Sequence, residues 1–159
     1  MSVTDLSTAD LLAVYREGAN DLASAVAGLD EAALDARPGP DDWTVREIVW
    51  HMADNELIAS VRLRCLLTQD APDLVGYDET LYATAFDYAG RPLTHALALL
   101  QAGRVANVEV LERLAPEQWT RSGTHPESGH HTVRNLVESN IRHMNAHLEQ
   151  VQGNVAATA

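Results

Sequence analysis

Basic residues are scarce in this chain of 159 residues: 11 Lys and Arg stand against 23 Asp and Glu, for a formal net charge of −12. Nucleic-acid backbones are held by clustered Lys and Arg, so this balance argues against a nucleic-acid partner. It argues equally against an anionic membrane surface. No apolar run approaches the ~18 residues that a membrane-spanning helix needs. The start, Met1-Ser2-Val3-Thr4-Asp5, has neither a basic stretch nor an apolar one, so secretion is not expected. Cysteine occurs once, at Cys65, which excludes an internal disulfide and suits a reducing cytoplasm. A Gly-rich phosphate loop, a nucleophile-elbow serine and the HExxH zincin pattern are all missing.

What is present is helical periodicity. The length suits one domain with a sizeable core, and 46% hydrophobic residues is ordinary for a globular protein. Four long segments carry the pattern. The first runs from about Ser7 to Gly28, with Ser7 and Asp10 as a capping pair. The second opens on Thr44-Val45-Arg46-Glu47, a capping box with Trp43 and Ile48 as its hydrophobic staple, and reaches about Gln69. The third spans about Pro92 to Leu114, and the fourth Thr132 to Gly153, a natural helix-ending residue. Short helical turns are expected at Asp30 to Ala36 and within Asp78 to Asp87, and a loop from Pro116 to His131. Leu29 to Glu47 and Leu114 to Asn135 form a faint repeat, each ending in Thr-Val-Arg followed by Glu or Asn. The expectation is an all-α four-helix bundle over residues 1–153 with a frayed tail at 154–159. Its long connections, Leu29 to Trp43 and Gln69 to Arg91, would be crossovers.

Three histidines could carry chemistry. His143 and His147 stand four apart on the stripe Leu136, Asn140, His143, His147 and Val151, so both imidazoles share one helix face. His51 lies on the stripe Ile48, His51, Asn55, Ile58 and Arg62. Three neutral imidazoles converging from two helices can bind a divalent metal and leave coordination positions open. Zn or Ni suits such a set best, with Fe, Co or Mn as further choices. The competing reading is that these are ordinary interior histidines satisfied by hydrogen bonds. Asp54, Asn55, Glu56, Asn140 and Asn145 are candidates to support the ligands from behind.

The stretch Trp43-Thr44-Val45-Arg46-Glu47-Ile48-Val49-Trp50-His51-Met52-Ala53-Asp54-Asn55-Glu56, followed by Arg62 and Arg64, resembles the DinB-like superfamily. So do His125-Pro126-Glu127-Ser128-Gly129, Thr132-Val133, and His143-Met144-Asn145-Ala146-His147-Leu148-Glu149-Gln150-Val151. These pieces span about two-thirds of the chain, in the family's order. The resemblance implies a four-helix bundle with His51, His143 and His147 as metal ligands, and a homodimer. It implies a small-molecule substrate, and it slightly favours thiol S-transfer to an electrophile, with a low-molecular-weight thiol as cosubstrate. A metal-dependent hydrolase on the same site is the first alternative, and a non-catalytic, stress-related metal-binding module the second. Met144 and Ala146 depart from the family, which often has Asp or Gly at the first and a further His at the second; the three ligands are intact.

Other residues read more simply. Cys65 lies about 21 Å along the helix from His51, too far to share a metal. Exposed loop positions are expected for His125, His130 and His131, with the border of the site mouth as the alternative, and a helix surface for His95. Arg62 and Arg104 are either anion clamps for a substrate carboxylate or partners in structural ion pairs. Trp43, Trp50 and Trp119 are expected to serve packing.

Overall fold

The computed structural model describes residues 2–158. Four long helices dominate: α1 (Thr8–Ala25), α3 (Val45–Thr68), α5 (Leu93–Leu111) and α6 (Val133–Thr158). Between them lie the short helices α2 (Glu31–Asp35) and α4 (Glu79–Ala85) and a hairpin of β1 (Ser122–His125) and β2 (Gly129–Thr132). No helix among the described residues is long and apolar enough to cross a membrane.

The helix starts are set by local chemistry. Ser7 Oγ accepts from the Asp10 N–H and caps α1. At α3, Thr44 Oγ1 accepts from Glu47 N at 3.2 Å while Glu47 Oε2 accepts from Thr44 N at 2.8 Å, a reciprocal box that satisfies two orphan amides. The faint repeat has a physical basis, because Thr132 and Asn135 exchange the same pair of bonds at the head of α6. The last carbonyls of α3 are covered by Arg121, whose Nε donates to Leu66 O and Nη2 to Gln69 O.

Contacts give the topology. α3 packs on α5 and α6, and so does α1, while α1 faces α3, and α5 faces α6, across the diagonals. α3 and α5 run parallel, since Arg46 and Trp50 meet Arg91 whereas Ser60 and Arg64 meet Asn107. The connection at 69–92 therefore returns along the length of the bundle, a true crossover. α6 runs antiparallel to α3: Trp43 O accepts from Asn154, His51 meets His143, and Asn55 meets Asn140. This pairing places His51, in the second turn of α3, opposite the middle of α6.

Two departures from expectation have clear causes. α6 passes Gly153 and continues to Thr158, where the expected end lay at 153. Ala156 and Ala157 are strong helix formers, and Val155 packs on the core. The stretch read as a loop holds the β1–β2 hairpin, with Gly129 at φ +71° closing its turn. Strands of four residues with no apolar alternation give no periodic signal. The hairpin is tied to the segment after α3: Leu74 N donates to Thr124 O at 2.8 Å and Thr124 N to Pro72 O at 2.9 Å. Gly123 permits this approach, because a Cβ there would lie 2.4 Å from Pro72 O.

The core has two apolar clusters, one around Val45, Ile48, Trp50 and Leu100, the other around Leu11, Leu63, Val108 and Val137. Glu56 sits on α3 between Ala53 of the first and Ala59 of the second. Its carboxylate accepts from Tyr15 Oη at 2.7 Å, Arg104 Nε at 3.0 Å and Asn107 Nδ2 at 2.8 Å. Arg104 also donates to Tyr15 O and stacks on the Tyr15 ring. Burial and the adjacent Glu56 push the Tyr15 phenol pKa up, so it stays a donor. Arg104 is thus a structural ion pair rather than an anion clamp.

Candidate metal centre

The antiparallel pairing of α3 and α6 brings His51, His143 and His147 together. His143 Nε2 lies 3.1 Å from His51 Nε2 and 2.9 Å from His147 Nε2. One coordinating atom from each residue falls within 4.8 Å of the other two. An ion with metal–nitrogen bonds of about 2.0–2.1 Å holds adjacent nitrogens roughly 3 Å apart. The set therefore fits one divalent ion held through three Nε2 atoms.

Each ring is positioned differently. His147 Nδ1 is 2.9 Å from Gln150 Oε1, an acceptor, so the proton sits on Nδ1 and the Nε2 lone pair faces the cluster. His51 is fully buried and meets the Trp43 ring edge-on, with centroids 5.1 Å apart. Its buried Nδ1 has no hydrogen-bond partner among the described residues. Ligation through Nε2 leaves that atom as unpartnered as an ordinary core placement does, so it does not separate the two readings.

Electrostatics keep the cluster ready for a cation. Burial first, then the neighbouring His143 and His147, pushes the His51 pKa down to about 3. Burial and His147 push His143 down to about 4. His147 is lowered by burial, against the raising effects of Gln150 and Glu79. All three are neutral at pH 7, the form that ligates a metal.

The candidates for supporting residues separate. Asn55 Nδ2 donates to Asn140 Oδ1 at 2.9 Å, and Tyr77 Oη donates to Asn55 Oδ1 at 3.4 Å, forming a polar wall beside the histidines. Asp54 accepts from Tyr88 Oη at 2.5 Å, Glu56 belongs to the core network, and Asn145 is exposed. Two residues escaped sequence reasoning. Gln150 orients His147, and Glu79 brings a carboxylate oxygen to 3.6 Å from His51 Nε2. Gln150 stands three residues after His147, a spacing that was legible; Glu79 arrives from a separate short helix and was not.

A cavity of about 830 Å³ opens beside His143. Its walls include Asn55, Tyr77, Glu79 and Asn140 near the histidines and Arg62, His125 and His131 farther out. His125 and His131 therefore border the site mouth, the less favoured of their two expected places, while His130 and His95 are exposed. Cys65 does not line the cavity. Trp50 and Trp119 are packing residues, and Trp43 adds the contact with His51.

The chain has clear relatives. A protein of Oceanobacillus iheyensis, provisionally named a metal-dependent hydrolase, is 30% identical over 130 residues, covering 82% of this chain and 75% of that one. The solved structure of YfiT from Bacillus subtilis, likewise provisionally described as a metal-dependent hydrolase with an unusual four-helix bundle topology, superposes with a TM-score of 0.88. Identity there is 25%, with 94% of this chain and 88% of that chain covered. The mycothiol-dependent maleylpyruvate isomerase shares the fold, with a TM-score of 0.75 at 14% identity over 95% of this chain and 63% of its own. The family model of the DinB superfamily matches residues 5–151, and the chain belongs to that superfamily.

Proposed function

We propose that this protein is a metal-dependent enzyme acting on small electrophilic molecules, with His51, His143 and His147 as the ligands of one divalent ion. The observation that carries this reading is the convergence of three neutral imidazoles, with His143 Nε2 at 3.1 and 2.9 Å from the Nε2 atoms of His51 and His147, beside an open cavity. An all-nitrogen imidazole set favours Zn or Ni, with Fe, Co or Mn also accommodated. A bound ion supplies a Lewis acid that lowers the pKa of the nucleophile it holds.

The chain's own groups do the rest. Glu79, more than half exposed and 3.6 Å from His51 Nε2, stands where it can take up a proton released by the nucleophile. Tyr77, its pKa pushed up by burial and by Glu79, remains a hydroxyl donor facing the Asn55–Asn140 wall. On turning from Asn55 Oδ1, the Tyr77 hydroxyl would donate to the oxygen of a polarised carbonyl or similar electrophile.

Two nucleophiles are compatible with the site. Water is supported by the provisional names of the Oceanobacillus and Bacillus relatives, and hydrolysis leads on that ground. Thiol transfer, the reaction first favoured by the resemblance, is supported by room: about 830 Å³ lies at the upper end of small-molecule sites and can seat a substrate and a cosubstrate together. The non-catalytic reading is disfavoured by the open cavity beside His143.

The test is elemental mass spectrometry of purified protein beside the His143→Ala/His147→Ala variant, followed by turnover assays on ester, amide and epoxide panels with and without added thiol. Near-stoichiometric metal lost in the variant, with metal-dependent turnover, is the expected result. Turnover without thiol assigns hydrolysis, and turnover only with thiol assigns transfer. Full activity in metal-free protein would refute the proposal.

A further inference from the structure

The far end of the cavity carries a second set of groups that the metal chemistry does not use. Arg62 follows His51 by eleven residues on α3, about three helical turns, so both project from the same side of the helix about 16 Å apart along its axis. Arg62 Nε donates to Val75 O at 2.9 Å, which fixes the plane of the guanidinium. The bond uses only one of its five donors. All eleven cations of the chain are arginines, and Arg16, Arg37, Arg46, Arg104, Arg121, Arg134 and Arg142 have carboxylate partners. Among the described residues, Arg62 has none; burial lowers its pKa, against the raising effects of the nearby Tyr77 and Glu127. In a protein with a formal net charge of −12, a half-buried guanidinium without an ion pair at a cavity wall is suited to an anion.

Its neighbour completes the set. His125 Nδ1 accepts from the backbone N–H groups of Glu127 at 3.2 Å and Ser128 at 3.3 Å. With Nδ1 committed as an acceptor, the neutral ring carries its proton on Nε2 and is a donor there. His131 lies against it, with ring centroids 5.8 Å apart. Burial and the nearby Arg62 lower the pKa of both rings, so Arg62 is the single full positive charge of this group at pH 7. One planar guanidinium fork plus one imidazole N–H suits a carboxylate, which takes two parallel N–H bonds. A phosphate dianion would face the negative Glu127 with only one compensating charge.

We infer that Arg62, with His125, forms a carboxylate subsite, and that the substrate is an elongated molecule whose reacting group sits at the three histidines and whose distal end is a carboxylate. The inference rests on the metal-dependent reading for the reacting end only; the carboxylate end stands on Arg62 and His125.

The test uses full-length zinc-loaded protein and monohydroxamates of linear dicarboxylic acids of increasing chain length. Each is paired with the same hydroxamate bearing a distal primary amide. The hydroxamate anchors both compounds at the metal, so only the distal group differs. Calorimetry is expected to show the acid binding about tenfold tighter than the amide in the longer homologues. In Arg62→Gln the ratio falls to about one, chiefly through weaker binding of the acid, while zinc content is unchanged. Damage to the fold would show separately, as lost zinc and lost helical ellipticity. A ratio of about one at every length in the unsubstituted protein, or one retained in Arg62→Gln, overturns the subsite. A second measurement needs no metal: linear dicarboxylates should saturably shift the His125 ring resonances, and not in Arg62→Gln. No shift in the unsubstituted protein overturns the inference. Protein that binds no zinc yet shows the Arg62-dependent shift would lose the enzyme reading and keep the subsite.

Discussion

Acidification of the metal-free protein should unfold it through the histidine cluster. In the folded state the His51 pKa is pushed down to about 3 and that of His143 to about 4, in both cases first by burial. In the unfolded chain each returns to about 6.5. Below that pH the unfolded state takes up protons that the folded state refuses, so stability is complete above pH ~6.5 and declines as pH falls toward the folded values. Each such group costs about 1.4 kcal/mol per pH unit across its window. At about pH 4.5, two units into the window, fully buried His51 accounts for about 2.7 kcal/mol, and the less buried His143 adds a smaller amount after solvent screening. The sum, about 4 kcal/mol, approaches the whole stability of a marginal domain. Urea unfolding followed by circular dichroism, in chelator, from about pH 7 to about pH 4.5, reads it directly. A His51→Leu/His143→Leu variant should show a pH dependence shallower by that amount. Parallel profiles for the two proteins would refute the assignment of the acid lability to this cluster, whatever their absolute stabilities.

Zinc at a hundredfold excess over its Kd should stabilise the protein by about 2.7 kcal/mol. That raises Tm by about 5–10 °C in a domain of this size, and a calorimetric scan of His143→Ala/His147→Ala should show no rise. Glu56→Ala leaves the buried Arg104 without its carboxylate and should cost about 3–5 kcal/mol in urea unfolding; a loss under 1 kcal/mol would mean that Arg104 finds water or another partner. Gly123→Ala pushes a Cβ against Pro72 O and should part the hairpin from the segment after α3. Hydrogen exchange at the Leu74 and Thr124 amides would then quicken while zinc content stays intact; unchanged protection at both amides would count against the bridge as the hairpin's tether.

How much of this was legible depended on whether a residue announces itself through a helical period. The four long helices and the Thr44–Glu47 box are written in apolar spacing and capping chemistry, which act over a few residues. The histidines were legible for the same reason, because the four-residue spacing of His143 and His147 puts them on one face by geometry alone. That His51 joins them was not a local matter. It follows from the antiparallel pairing of α3 and α6, which no single-helix pattern reports. Glu79 and the paired role of His125 and Arg62 were less visible still. Glu79 arrives on a seven-residue helix, and His125 on a strand of four residues whose place is set by backbone bonds to Pro72 and Leu74 rather than by burial of a stripe. Residues on long connections carry chemistry while their positions are decided by contacts distant in sequence.

The two ends of the cavity share one helix, and this gives the core network around Glu56 a functional consequence. His51 and Arg62 hold a fixed separation only if α3 stays straight and does not slide or rotate against its neighbours. Glu56, between them in sequence but turned to the core, is gripped from α1 by Tyr15 and from α5 by Arg104 and Asn107. A purely apolar contact there would tolerate small slides, because dispersion is non-directional, whereas three directed bonds to one carboxylate fix both height and rotation. α6, which carries the other two histidines, is positioned on α3 by the Asn55–Asn140 bond one turn from His51. The buried polar groups thus set the distance between the metal ligands and the carboxylate subsite. Replacing Glu56 and Arg104 together by apolar residues of similar size could preserve stability and still blur that distance. The measurable consequence is a broader dependence of hydroxamate affinity on chain length at unchanged zinc content; an equally sharp optimum in such a double variant would show that the helices hold their register without the network.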